Sequence, residues 1–276
     1  MASGAAIVTG ASSGIGQATA FHLRELGFDV HAGVRKDADA ERLEGQGLQT
    51  LKLDVTDAES ISAAAASLDG RPVAALVNNA GIAVSGPLEL VPIDELRNQM
   101  EINFIGQVAV TQALLPLLRA GRGRIVNVSS IGGRIGLPLA GPYAASKFAL
   151  EGMTDSLRRE LRHLGVDVIA VEPGGVKTPI WDKGNQTADA MLADAPPEVA
   201  QLYGKLGDAL RAEARKIATD TGVEPREVAE VIGRALTSSK PRTRYLVGRD
   251  AKARDALARV LPDRVFDRLI ARTLGG

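Results

Sequence analysis

Short apolar runs rich in β-branched residues recur along this chain, each separated from the next by a stretch with helical periodicity. The runs span Ala5 to Thr9, Asp29 to Val34, Thr50 to Leu53, Val73 to Asn78, Arg124 to Ser129, Val166 to Glu172 and Tyr245 to Val247. Helical patterns cover Ile15 to Leu26, Asp57 to Leu68, Pro92 to Leu118 and Pro142 to Leu164. The run V-A-A-L-V-N at Val73 is nearly continuous in hydrophobicity, as expected of a strand buried on both faces. Strands that alternate with helices build right-handed βαβ units and a parallel sheet covered on both sides. One α/β domain over residues 1–276 is expected, a doubly wound parallel sheet of about seven strands.

Two regions break this rhythm. Residues 178–222 carry no strand signal and are punctuated by Pro179, Pro196 and Pro197, which suggests a mobile, partly helical flap. Residues 251–276 repeat apolar side chains at Leu257, Leu261, Val265 and Leu269 with arginines opposite, the spacing of an amphipathic helix. Such a helix docks on its own domain, on a second subunit or on a membrane surface. Lys plus Arg and Asp plus Glu both number 33, so the basic excess of a nucleic-acid binder is absent. With no cysteine, disulfides, thiolate catalysis and cysteine-based zinc sites are excluded, and no metal site is expected. No signal peptide is evident, and no run approaches the roughly 18 apolar residues of a membrane span. A soluble, cytoplasmic chain is expected, with the N-V-S at Asn127 and N-Q-T at Asn185 read as chance matches to the glycosylation pattern.

The first strand runs directly into T-G-A-S-S-G-I-G, Thr9 to Gly16, and a helix follows. Gly10, Gly14 and Gly16 permit a tight turn, with Ser12, Ser13 and Ile15 between them. The helix start offers unpaired N–H groups and a positive dipole end, suited to a pyrophosphate. The spacing G-x-x-x-G-x-G differs from the common dinucleotide fingerprint G-x-G-x-x-G. The same residues also satisfy G-x-S-x-G, the nucleophile elbow of α/β-hydrolases. That fold needs earlier strands and a late histidine, whereas nine residues precede Gly10 and the histidines are His22, His31 and His163. The dinucleotide reading is preferred.

Dinucleotide sites read the adenosine ribose at the end of the second strand, about 20 residues beyond the glycines. Here that strand ends at Arg35, nineteen residues after Gly16, and Lys36 follows. Cations in place of a carboxylate point to NADP(H), with Arg35 and Ser12 on the 2′-phosphate; NAD(H) remains open.

Further on stand L-D-V (Leu53 to Val55), N-N-A-G (Asn78 to Gly81), N-F-I-G (Asn103 to Gly106), Ser130, Y-A-A-S-K (Tyr143 to Lys147) and P-G-G-V-K-T (Pro173 to Thr178). Ser130 precedes Tyr143 by thirteen residues. With these motifs in order over roughly residues 3 to 250, the chain resembles the short-chain dehydrogenase/reductase family, in its main single-domain branch. The resemblance implies a Rossmann-type fold and a nicotinamide-dependent oxidoreductase with Tyr143 as general acid or base. It implies that Ser130 binds the substrate oxygen, in preference to its neighbour Ser129, and that Lys147 binds the nicotinamide ribose. Asn103 is implied to hold a helix irregularity and a water leading to the lysine. Asp54 is implied at the adenine amino group, with Val55 beside the ring. Asn78 and Asn79, with the Ala80-Gly81 backbone, are implied along the adenosine ribose. Pro173, Gly174, Val176 and Thr178 are implied around the carboxamide and phosphates. The physics is compatible, because Pro142 suits a first helical position and puts Tyr143 and Lys147 one turn apart on one face. Bringing a phenol from about 10 toward 7 takes about 4 kcal/mol, which one cation about 4 Å away supplies at an effective dielectric near 20. The lysine charge, assisted by the oxidised nicotinamide ring, is thus expected to outweigh the opposing effect of burial.

The stretch Ser130 to Pro138, the following Y-A-A-S-K-F-A-L-E-G and the extension past Gly248 resemble the hydroxysteroid and retinol dehydrogenase branches. Ile180, Trp181, Met191 and Leu192 of the flap are candidates to cover a secondary alcohol or ketone on a lipophilic body, although Trp181 also suits a core or interface position. The helix of Tyr143 and the long helix before it imply a homodimer or homotetramer by resemblance. The alternative reading is a non-catalytic NADP(H)-binding sensor of the same fold.

Overall fold

The seven apolar runs fall where strands form. In the computed structural model, which describes residues 4–273, the chain order begins β1 (Ala5–Val8), α1 (Gly14–Glu25), β2 (Asp29–Val34), α2 (Asp37–Glu44), β3 (Gln49–Lys52), α3 (Ala58–Ser67) and β4 (Val73–Asn78). It continues with α4 (Ile93–Met100), α5 (Gly106–Ala120), β5 (Arg124–Val128), α6 (Gly141–Leu161), β6 (Asp167–Pro173), α7 (Ile180–Asp194) and α8 (Pro197–Lys216). Last come α9 (Pro225–Thr237), β7 (Arg244–Val247), α10 (Arg249–Val260) and α11 (Asp263–Thr273). The strands form one parallel sheet in the order β3-β2-β1-β4-β5-β6-β7.

Because side chains alternate along a strand, each central strand feeds two cores. Ala6 and Val8 of β1 point with Val126 and Ile169 toward the layer of Leu23 and Ile232, carried by α1 and α9. Ala5 and Ile7 point with Ile125 and Val168 toward Ile61, Leu114, Leu118 and Leu161, carried by α3, α5 and α6. The expected doubly wound sheet is therefore present. The helices α2 and α9 lie outside the four helical stretches read from the sequence.

A π-helical turn, Glu101–Ile105, joins α4 to α5. By length and composition the helix Ile93–Gly121 is apolar enough to cross a membrane. Here Val110, Leu114 and Leu118 pack on the sheet while Gln99, Asn103 and Gln107 are fully buried, so it serves as a core helix.

Residues 178–222 contribute no strand to the sheet and are helical almost throughout, as α7, α8 and a π turn at Ile217–Thr221. Val176 and Val223 form an isolated parallel bridge, so this excursion leaves and rejoins the fold at one point. The C-terminal expectation needs correction: instead of one amphipathic helix, α10 and α11 are separated at Leu261 and Pro262. Proline excludes the residue before it from helical geometry, and Leu261 accordingly sits at φ −86°, ψ 139°. The last three residues of the expected extension, 274–276, lie outside the described residues.

Candidate active site

The glycine turn leaves β1 with Gly10 at φ +63°, a conformation that side-chain-bearing residues avoid. A Cβ there would stand 2.7 Å from Ala80 Cα, and one on Gly16 would meet the Gly10 carbonyl and the Asn79 amide. The turn is thus pressed against the loop after β4, and two side chains hold it there. Thr9 Oγ1 accepts from the Asn79 and Ala80 amides, both at 2.9 Å. Asn79 Nδ2 donates to the carbonyls of Thr9 at 2.9 Å and Gly10 at 3.1 Å. No side chain caps α1 at Ser13, so the first-turn N–H groups stay directed at the cleft.

Three amides from one helix face, none of them foreseen except Asn103, fix the loop beyond Asn79. Gln99 donates to the Ile82 carbonyl at 2.9 Å and accepts from Val84 N at 2.6 Å. Asn103 accepts from Ile82 N at 2.8 Å and donates to its carbonyl at 3.0 Å and to Ser146 Oγ at 3.1 Å. Gln107 donates to the Ala80 carbonyl at 2.7 Å. Their i, i+4, i+8 spacing was the available signal, since polar residues on the buried stripe of an apolar helix need partners. Asn103 lies in the π turn, where the resemblance put a helix irregularity, and it does not face the cleft.

Asn78 must be moved off the candidate site. It is the last residue of β4, and its side chain points into the sheet-helix interior, one face away from that of Asn79. There Nδ2 donates to Thr111 Oγ1 and Asn127 Oδ1, both at 2.9 Å, and Asn127 in turn donates to Thr154 Oγ1 at 2.8 Å. Asn127 is itself fully buried. Asn78→Ala should therefore lower the unfolding free energy by roughly 2–4 kcal/mol in urea titrations, because it leaves buried acceptors unpaired. A loss below about 0.5 kcal/mol would contradict this ladder.

Beyond the C-terminal ends of β4 to β6 the other motif residues converge. A cavity of about 720 Å³ runs along this edge of the sheet, and every candidate cofactor residue except Gly16 and Asn78 lines it, as do Ser130, Tyr143 and Lys147. Ser130 Oγ accepts from Gly132 N at 3.0 Å, whereas the hydroxyl of its neighbour Ser129 is buried without a hydrogen-bond partner. Lys147 Nζ donates to the Val128 carbonyl at 2.8 Å and lies 5.8 Å from the centre of the Tyr143 ring. Burial pushes the Tyr143 phenol above its usual 10, with a hydrogen bond to Ser130 opposing it. The expected depression is thus overturned in the chain by itself: at this separation the ammonium does not offset desolvation. Burial also lowers Lys147 to about 8, against the opposing charge of Glu151.

At one end of the cavity Arg35 extends into solvent, 3.9 Å from Asp54, with Lys36 and Asp39 beside it. Asp54 accepts from the Thr56 amide at 3.0 Å and hydroxyl at 2.7 Å, while Arg42 donates to the Ser12 carbonyl at 2.6 Å and bridges Asp39. Arg42 was not singled out from the sequence. Near the middle, Thr178 Cγ2 would stand 3.1 Å from a Cβ on Gly14, so this threonine lies against the glycine turn. Ile180, Trp181, Phe266, Leu269 and Ile270 add apolar lining to the cavity, and the Trp181 indole donates to the Val176 carbonyl at 2.7 Å. Met191 and Leu192 are not in that lining. Met191 packs on Gly86 and Leu192 on Gly207, where they brace α7.

Lys147 has a consequence for stability. Its folded-state value lies below its unfolded one, so stability is lost as pH falls from above 10.5 through about 8. Lys147→Met should raise the unfolding free energy at pH 7 by roughly 1–2 kcal/mol, the relief of desolvation less the lost hydrogen bond. Thermal melts at pH 7 and 10 check the sign, and the gain should shrink at the higher pH.

Comparison with known proteins agrees with this arrangement. The short chain dehydrogenase family model matches residues 4–189. An NADPH-dependent 3-dehydrocapnine reductase of Ornithobacterium rhinotracheale is 36% identical, over 98% of this chain and 96% of that protein. Retinol dehydrogenase 5 of Mus musculus is 38% identical, over 95% and 86%. The crystal structure of a short chain dehydrogenase from Burkholderia cenocepacia in complex with NADP superposes with a TM-score of 0.75 at 28% identity, over 99% and 98%. With the family model matched over residues 4–189 and relatives 36–38% identical over nearly the whole chain, the chain belongs to the short-chain dehydrogenase family.

Proposed function

We propose that this chain is an NADP(H)-dependent oxidoreductase that interconverts a ketone and a secondary alcohol carried on a lipophilic body. The observation that carries the reading is that one cavity is lined by the glycine turn, by Ser130, Tyr143 and Lys147, and by the apolar side chains of Ile180, Trp181, Phe266, Leu269 and Ile270. The residues fit the cofactor. Uncapped amides of α1 suit a pyrophosphate, and a Cβ-free cradle at Gly10 and Gly16 admits close backbone approach. Arg35, with Lys36 behind it, suits a 2′-phosphate better than a hydroxyl. In this reading Asp54 and Val55 take the adenine, and Asn79, Ala80 and Gly81 its ribose. Pro173, Gly174, Val176 and Thr178 take the carboxamide and phosphates, and all of these residues line the cavity. An NADPH-dependent relative and an NADP complex among the similar proteins support this choice. A retinol dehydrogenase among the relatives supports the lipophilic substrate.

When bound, the nicotinamide supplies the hydride. The chain supplies the proton and the positioning. Ser130 Oγ donates a hydrogen bond to the carbonyl oxygen and fixes its orientation. Tyr143, held protonated by burial, gives its proton to that oxygen as negative charge develops there. The phenolate left behind is stabilised by Lys147, buried in the same wall and cationic at neutral pH. Asn103 keeps α6 in place through Ser146, whose hydroxyl donates to the Tyr143 carbonyl at 2.7 Å. Exposed Ile105 and Phe148, on the long helix and on α6, support a subunit contact there.

Two substitutions test the assignment against a panel of lipophilic ketones and alcohols read by NADPH absorbance. Tyr143→Phe should lower kcat by roughly 10²–10⁴-fold with the NADPH dissociation constant within about threefold of wild type. A sensor would show no turnover to lose. Arg35→Asp should raise the Michaelis constant for NADPH by roughly 100-fold and leave that for NADH nearly unchanged. Equal effects on both would remove the 2′-phosphate assignment, and reduction of only small polar sugars or keto acids would remove the lipophilic one.

A further inference from the structure

Four residues beyond Ser130, Arg134 follows the single turn of 3₁₀ helix at Ile131–Gly133. Its guanidinium reaches two carboxylates from different parts of the fold. Nη2 lies 2.9 Å from Glu172 Oε1, and Nη1 lies 2.8 Å from Asp255 Oδ1. Glu172 is fully buried and immediately precedes the Pro173-Gly174 turn that lines the cavity. Asp255 belongs to α10. On the far side, Arg244 of β7 approaches Glu172 at 3.2 Å, Glu151 at 3.1 Å and Asp155 at 2.7 Å, the last two on the helix that carries Tyr143 and Lys147. One forked guanidinium thus joins the Ser130 loop, the end of β6 and the C-terminal helices, a geometry that a single ammonium cannot reproduce.

The C-terminal helices have few other attachments. Among the described residues of α10, Ala251 and Asp255 are the buried ones, and α11 buries none completely. Ala251 packs on Ile131 and Ile135, Asp250 accepts from Gly175 N at 2.8 Å, and Arg254 meets Glu213 at 3.5 Å. Yet Phe266, Leu269 and Ile270 of α11 form part of the cavity wall. One of the two buried positions of α10 is therefore an acidic side chain, beside the apolar packing of Ala251, Ala258 and Phe266 on the Ile131–Ile135 cluster, and its counter-charge stands on the catalytic loop.

We propose that Arg134 is a latch: by tying Asp255 to Glu172 it holds α10 and α11 over the apolar lining of the cleft. It thereby sets how tightly extended apolar substrates bind, without touching the reacting atoms. The role in substrate binding rests on the reading given under Proposed function, whereas the latch itself does not. Arg134 and Asp255 are positioning residues in this scheme.

The test is hydrogen exchange of the full-length chain, followed by mass spectrometry over residues 249–273, with α9 as the internal control. Asp255→Asn removes the carboxylate that meets Arg134 from α10 and keeps the Arg134–Glu172 pair. It should speed exchange in α10 and α11 at least tenfold and leave α9 unchanged, and Arg134→Lys should act in the same direction. Arg259→Gln removes the other cation on Asp255, exposed and 3.0 Å away. It should stay within about twofold of wild type. Unchanged exchange in Asp255→Asn, or equal acceleration in Arg259→Gln, would overturn the latch. With NADPH, Asp255→Asn should raise the Michaelis constant for 2-decanone at least fivefold at constant kcat and leave that for 2-butanone alone. A fall in kcat with no change in Michaelis constant would overturn the positioning role. If wild type reduces neither ketone, the lipophilic ketone reading fails, and the exchange contrast alone decides the latch.

Discussion

Strand order reverses direction at β1, which has β2 on one side and β4 on the other. The connections leaving β1 and β4 must therefore depart toward opposite flanks of the sheet, and a crevice opens between them at the carboxyl edge. Nothing else in the fold compels a cleft at that point. The gap is kept narrow by Thr9 and Asn79, which bind each loop to the other. The absence of side chains at Gly10 and Gly16 lets the two backbones touch. Because the sheet is parallel, the ends of β5, β6 and β7 face the same way, so Ser130, Pro173 and Asp250 reach this edge without long loops.

The loops that line the crevice are held by neutral amides and hydroxyls at its floor. Gln99, Asn103 and Gln107 pair with backbone groups that no strand satisfies, and Asn78, Asn127, Thr111 and Thr154 form a second such chain below. A buried amide whose hydrogen bonds are all made contributes modestly to stability, about 1 kcal/mol per bond, but a broken one costs more. Such networks therefore fix geometry more firmly than they add to overall stability. The charged groups gather in a separate cluster, where Arg134 and Arg244 meet Glu151, Asp155, Glu172 and Asp255.

The strands were legible because a doubly covered parallel sheet needs continuous apolar segments, and V-A-A-L-V-N or A-A-I-V can hardly serve otherwise. The glycine turn and the Tyr143–Lys147 pair were legible because both rest on local spacing. What escaped depended on partners distant in the chain. Neighbours Asn78 and Asn79 look alike in sequence, and only strand alternation sends one into the core and the other to the cleft. Arg134 and Arg42 read as ordinary loop and helix arginines until Asp255 and the Ser12 carbonyl are brought to them. Pro262 did carry a local signal against one continuous helix. The periodicity of Leu257, Leu261, Val265 and Leu269 ran across it, and backbone restriction prevailed over pattern.

In three ionisable groups around the candidate site desolvation prevails over the neighbouring charges, and it shifts each in the direction that removes charge. It raises Tyr143, lowers Lys147 to about 8 and raises Glu172 to about 7, in the last case with Glu151 adding to it and Arg134 opposing. At neutral pH the wall thus holds a protonated phenol next to an ammonium that remains mostly charged. That is the proton inventory a ketone reduction needs at its start, with the acid loaded and the cation ready for the phenolate it becomes. Alcohol oxidation starts from the opposite state of the phenol, and burial works against that state. The same loss of water that makes these charges costly to bury keeps the phenol protonated, the form the reductive direction starts from, while the ketone–alcohol equilibrium is set by the reactants and the cofactor.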